Sequence, residues 1–236
     1  MKISQILGAV LFGTFGFGVV AQTSEAVTLT RLSSDSEMNE WLGDIAFVAE
    51  GRIGDRGGFA THELNLHESD PGDPQVTDQF DWLSGVPEPF ELAYDAASSL
   101  VNFTVGDRTL TQAYDNPFSD FFLRTRATQA GSSMLLGNLQ LDGVALDGES
   151  YAIADTGGLD ILRISDVAGS FQLLGESTMT WQETPPVQSE LAFQIKVSEV
   201  TGTEPPPSRE IPEPSSVASL IVFGLLGMSV RRLSPQ

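Results

Sequence analysis

A period of two governs the middle of this chain. Leu191, Phe193, Ile195 and Val197 alternate with Ala192, Gln194 and Lys196. Phe90, Leu92 and Tyr94 alternate with Glu91 and Ala93, and Val101, Phe103 and Val105 with Asn102 and Thr104. In an extended chain successive side chains point to opposite faces, so each segment has one apolar and one polar face and reads as a half-buried strand. Phe121–Ala127, Met134–Leu141, Asp160–Ile164, Phe171–Leu174 and Ser177–Trp181 read as further strands. Turn residues punctuate them: Asp95, Gly106-Asp107, and the hairpin-type pairs Asp142-Gly143 and Asp147-Gly148. Helical periodicity is weak, the best candidate being Ser34–Gly43, with a serine cap and acids in its first turn. Many short strands at regular spacing predict an all-β fold, an antiparallel β-sandwich of jelly-roll-like type.

That pattern occupies residues 27–200, enough chain to bury a core of its own. With no cysteine anywhere, no disulfide holds the fold and no thiol chemistry is open to it. Thr201–Glu210 holds Pro205-Pro206-Pro207 and no large apolar residue, and reads as an extended, semi-rigid linker.

The two ends have other patterns. Residues 1–26 combine Lys2, a glycine-rich apolar run from Ile6 to Val20 and two acceptable small-residue cleavage sites, Val19-Val20-Ala21 and Ser24-Glu25-Ala26; this is the pattern of a secretory signal peptide, with cleavage after Ala26 favoured because it leaves a short polar segment behind the apolar run. Residues 211–236 begin Ile211-Pro212-Glu213-Pro214-Ser215-Ser216, continue as an apolar run from Val217 to Val230, and then carry Arg231-Arg232. Pro212 and Pro214 hold Glu213 extended, since proline fixes its own φ and disfavours helix in the residue before it. Ser215 and Ser216 cap the helix that follows. Residues 217–230 read as a single transmembrane helix, short against the ~20 residues of a comfortable span. The arginines mark its cytoplasmic end.

This order of parts resembles the PEP-CTERM sorting signal of Gram-negative bacteria. The resemblance implies that an exosortase-type membrane enzyme acts at Pro212, Glu213 and Pro214, that Arg231 and Arg232 are the basic stop, and that the chain meets the membrane at least transiently. A second resemblance covers the body. Trp82-Leu83-Ser84-Gly85, the strands Phe90–Asp95 and Leu100–Val105, Phe122–Ala127 and Leu191–Val197 look like the bacterial "choice-of-anchor" modules, type W in particular. Those are β-rich extracellular domains with no established activity.

The chain carries 32 acidic and 12 basic residues, a net charge of −20. Such a surface repels nucleic acid and anionic lipid. Oxygen ligands at flexible spacing suit Ca²⁺, which makes Asp70, Asp73 and Asp78, in an acidic and turn-rich stretch, candidate calcium ligands. Asp142, Asp147, Asp155 and Asp160 join a site only where the fold gathers them. Asp155-Thr156-Gly157 matches the aspartic-protease signature superficially, but that chemistry needs a second carboxylate, and the triplet is also ordinary turn chemistry. His62 and His67 are five apart, not the four of a helical zinc site; on a strand they point to opposite faces. Trp41, Trp82 and Trp181 are candidates for a sugar-stacking platform or for core packing. Asn102 begins an Asn-Phe-Thr glycosylation triplet but lies mid-strand.

These readings lead to one expectation: an exported, non-enzymatic structural or adhesive protein of the cell surface or extracellular polysaccharide matrix. Two rivals make distinct structural demands. A calcium-dependent glycan-binding module needs a face-exposed tryptophan or tyrosine beside an acidic site. A carboxylate-dependent hydrolase needs two acids ~5–9.5 Å apart in a cleft.

Overall fold

The computed structural model describes residues 27–54, 62–68, 76–114 and 118–199. In chain order the elements are β1 (Thr28–Leu32), α1 (Asp35–Leu42), β2 (Ile45–Ile53), β3 (His62–His67), β4 (Val76–Gln79), β5 (Pro87–Asp95) and β6 (Leu100–Val105). There follow β7 (Arg108–Ala113), β8 (Phe118–Ala127), β9 (Ser133–Leu141), β10 (Val144–Ala145), β11 (Ser150–Ile153), β12 (Leu159–Ser165), β13 (Phe171–Thr180) and β14 (Leu191–Glu199). The expected signal peptide, linker, sorting motif, transmembrane segment and basic stop all lie outside the described residues. Among the described residues no helix is long and apolar enough to cross a membrane.

The strands form two antiparallel sheets. Sheet A has the order β1-β12-β8-β14-β2-β3-β4, and sheet B the order β10-β9-β13-β5-β6-β7, with β11 also paired to β9. One core lies between them, the all-β sandwich expected from the alternation. Ring contacts show the sheets meeting face to face: Phe193 of sheet A packs against Phe90 and Phe103 of sheet B, and Phe121 of sheet A against Phe171 of sheet B. Such fully buried side chains contribute about 2 kcal/mol each by leaving water.

Two strands differ from their sequence reading. Residues 171–174 and 177–181 merge into the single strand β13, because Gly175-Glu176 is not a turn. A side chain at Gly175 would place its Cβ 2.6 Å from the Phe90 ring, so glycine here admits an aromatic ring. Asp147-Gly148 closes no hairpin; it lies between β10 and β11, which both pair with β9. Asp142-Gly143 does close one, between β9 and β10, with φ of 51° and 79° as a two-residue hairpin turn requires.

Helix α1 forms where the serine cap and acids place it. Ser34 Oγ accepts the backbone N–H of Glu37, and Gly43 follows the last turn with φ 57°. The helix carries the chain from the edge strand β1 to β2, past β12, β8 and β14. Met38 and Leu42 pack with Phe122, Ile161 and Leu32, a second small core on the outer face of sheet A.

Candidate functional site

The sequence candidates do not converge. Asp70 and Asp73 lie outside the described residues. Asp78 is on the sheet-edge strand β4, where its carboxylate accepts the Gln79 N–H at 2.7 Å and lies 4.0 Å from the Arg108 guanidinium of β7. Asp142 accepts the Gln172 N–H, Asp155 is exposed on a 3-10 turn, and Asp160 is held by Arg31 and by the Tyr151 N–H at 2.8 Å. Among the described residues no three such groups are arranged to hold a metal ion. The tryptophans do not share a face: Trp82 is buried in the main core, while Trp41 on α1 lies under the Arg163 guanidinium at 4.2 Å on the outer face of sheet A. His62–His67 is the strand β3; Leu64 and Leu66 enter the core, and Asn65 and His67 are buried on the other side.

The outer face of sheet A is a lattice of paired charges. The register places Gln194, Glu50 and Asn65 side by side on β14, β2 and β3. Both amides donate to the Glu50 carboxylate at 2.9 Å, and Arg52 approaches it at 3.4 Å while donating to Glu63 at 2.5 Å. Arg163 pairs with Asp120 at 2.8 Å and Arg124 with Asp35. Burial lowers the Lys196 pKa, with Asp35 and Glu50 opposing it. Hydrogen bonds from Arg124 hold the Asp35 carboxyl below its ordinary value, and burial works against them. Most charges of this face are engaged by one another and by α1.

The outer face of sheet B is different in kind. Where strands pair directly, opposed residues share a face. One row therefore reads Gln140, Leu174, Glu91, Thr104 and Thr109 across β9, β13, β5, β6 and β7. The next reads Gln172, Ala93, Asn102 and Thr111. Toward the other end lie Pro89 and Glu176, and then Tyr151, Leu135, Thr178 and Pro87. None of these residues is Lys, Arg or His. They are half-buried or exposed, and Tyr151 is 42% exposed. Neighbours hold one another in place: Thr104 with Thr109 at 3.0 Å, Thr111 to Asn102 at 2.7 Å, Gln172 to Glu91 at 2.8 Å and Asn138 to Glu176 at 2.5 Å. Sequence reasoning passed over Tyr151. The alternation around Leu135 and Ala152 shows that these positions change face, but not that β11 joins β9.

A shallow dent near β3, β6 and β7 is lined by Phe47, Leu66, Glu68, Val101, Gln112, Ala113 and Tyr114. It has one carboxylate, Glu68, where the hydrolase reading asks for two. Nowhere does it admit a water-sized sphere.

No protein-family model matches the chain, and no curated protein matches it.

Proposed function

We propose that this is an exported, non-enzymatic surface or matrix protein. Residues 1–26 are its signal peptide, a jelly-roll-like sandwich is its working part, and an exosortase-type membrane enzyme sorts it through Pro212, Glu213 and Pro214. The observation that carries this reading is the order in residues 211–236: a proline-framed glutamate, an apolar run, then Arg231 and Arg232. The first part supplies an extended peptide for an enzyme to read, the second a segment that halts in the bilayer, and the third a charge that stays behind. The proline linker of residues 201–210 separates the sandwich from the membrane. In this reading the acidic domain acts as a structural or adhesive component of the matrix, with Asp70, Asp73 and Asp78 as candidate calcium ligands for cross-linking.

Mass spectrometry of both termini tests it, on protein recovered separately from culture medium and from membranes. The expected chain starts near Val27 and ends in or near Pro212–Pro214. An intact Arg231-Arg232 end on all recovered protein overturns the sorting step, and an intact Met1 end overturns export by a cleaved signal peptide.

The glycan-binding rival also has one observation in its favour, the face-exposed Tyr151. The acid beside it, Asp160, is held by Arg31.

A further inference from the structure

The two outer faces of this sandwich have unlike chemistry, and the difference constrains what can settle on each. Five of the basic residues, Arg52, Arg124, Arg126, Arg163 and Lys196, alternate outward on sheet A, where α1 and neighbouring acids engage most of them. Among the described residues, sheet B has none on its outer face. Its outward side chains are amides, hydroxyls, three carboxylates and a few apolar groups, half-buried or exposed across the width of the sheet. From β11 to β7 the face crosses five inter-strand steps, about 24 Å at ~4.8 Å each.

We infer that the outer face of sheet B is a docking surface for an uncharged glycan chain, with Tyr151 as stacking residue and Gln140, Gln172, Asn102, Thr109 and Thr111 as hydrogen-bonding residues.

Three observations lead there. The first is charge. Glu91, Asp95 and Glu176 stand on the face without a base among the rows, on a chain of net charge −20. A phosphate-, sulfate- or uronate-bearing polymer is repelled, while a neutral one is indifferent to the field. The second is hydrogen-bonding capacity. An amide side chain has both donors and an acceptor, and a threonine hydroxyl is both at once. A sugar hydroxyl is likewise both, so a surface of amides and hydroxyls matches it at every rotation. The pairs Thr111–Asn102 and Gln172–Glu91 fix the amides before a ligand arrives, which lowers the ordering cost of binding. The third is Tyr151. Its ring is exposed beside Leu135, and its backbone N–H is fixed by Asp160. An amphipathic ring with an apolar face and a polar tip suits a sugar, whose C–H groups lie on one side of its ring and hydroxyls at its rim.

The inference uses the export reading only for where the glycan is met, and its test does not depend on sorting. Full-length protein is run in native gels cast with β-1,4-glucan, β-1,3-glucan, mannan or dextran, and separately with alginate as an anionic control. Retardation by a neutral polysaccharide but not by alginate is expected. Tyr151→Ala and Gln172→Ala should each weaken the apparent affinity about tenfold or more, while Arg126→Ala on sheet A leaves it unchanged. Both test positions are exposed, and unchanged thermal unfolding of the variants separates lost binding from lost fold. Migration unaffected by all four neutral polymers overturns the inference, as does equal retardation by alginate or retention by polylysine alone. Concentration-dependent dimerisation abolished by Tyr151→Arg also overturns it, by assigning the face to a second copy of the chain. None of these outcomes bears on where the termini are cut, so the two readings fail separately.

Discussion

Arg124 and Asp35 meet as a bidentate pair, Nε to Oδ1 at 2.6 Å and Nη2 to Oδ2 at 2.9 Å, and so tie the first turn of α1 to β8 in the middle of sheet A. The geometry is the favourable one for a guanidinium on a carboxylate. Solvent screens it in part, because nearly half of the Asp35 side chain is exposed. Arg124→Met should cost about 1 kcal/mol and increase amide exchange selectively in α1. Because Asp35 titrates below its ordinary 3.8 in the folded chain, the contribution is fully present above that pH and lost as pH falls through the lowered value. Exchange protection of α1 should therefore hold from neutral pH down to about 4 and fail below it.

Phe193 is the ring around which the core is built. It contacts Trp82, Phe90 and Phe103, and lies so close to β2 that a Cβ at Gly51 would be 2.5 Å from it. Phe193→Ala should destabilise by about 3–5 kcal/mol. Gly51→Ala should cost about 1–3 kcal/mol by overpacking. Combined with Phe193→Leu, which retracts the ring, Gly51→Ala should cost less than the sum of the single changes. A double-mutant cycle in urea measures this, and strict additivity would contradict the contact.

Glu50 is the hub of the outer lattice on sheet A. Glu50→Ala leaves the Asn65 and Gln194 amides and the Arg52 guanidinium short of an acceptor in a buried place, at a cost of about 3 kcal/mol. Glu50→Gln keeps one acceptor oxygen and should cost less than half of that. Equal losses in thermal unfolding would show that shape, and not hydrogen bonding, is what Glu50 supplies.

Lys196 has the opposite sign. Burial lowers its pKa from 10.5, so the folded chain bears a penalty for charging it that is relieved as pH rises through the lowered value. Denaturation midpoints of the native chain should therefore climb between that value and 10.5. Lys196→Met should be at least as stable at neutral pH and should lack the alkaline climb.

How much of this was legible in the sequence depends on the environment of each strand. β5 and β6 have one wet and one dry face, and β14 has a polar outer and an apolar inner face, so their residues alternate and their pattern is plain. β2 is buried on both sides; its run Ala46-Phe47-Val48-Ala49 has no alternation to find. β7 is the reverse, an edge strand with Leu110 as its one buried residue. The helix was legible because capping is local chemistry, carried by Ser34 and Glu37 within one turn. The face of sheet B was not, because Gln172 and Asn102 become near neighbours only through pairings across β13, β5 and β6 that no local pattern encodes.

The place of β14 in sheet A governs when this protein can fold. It is the last strand described, yet it stands between β8 and β2, paired over nearly its whole length on each side. Before it arrives, sheet A is two unconnected pieces, β1-β12-β8 and β2-β3-β4. Sheet A thus stays incomplete until residues 191–199 join it, and its closure waits on pairings between segments far apart in the chain. Sheet B needs nothing beyond β13, so the two halves of the sandwich are completed in sequence, and the order of strands along the chain sets that order.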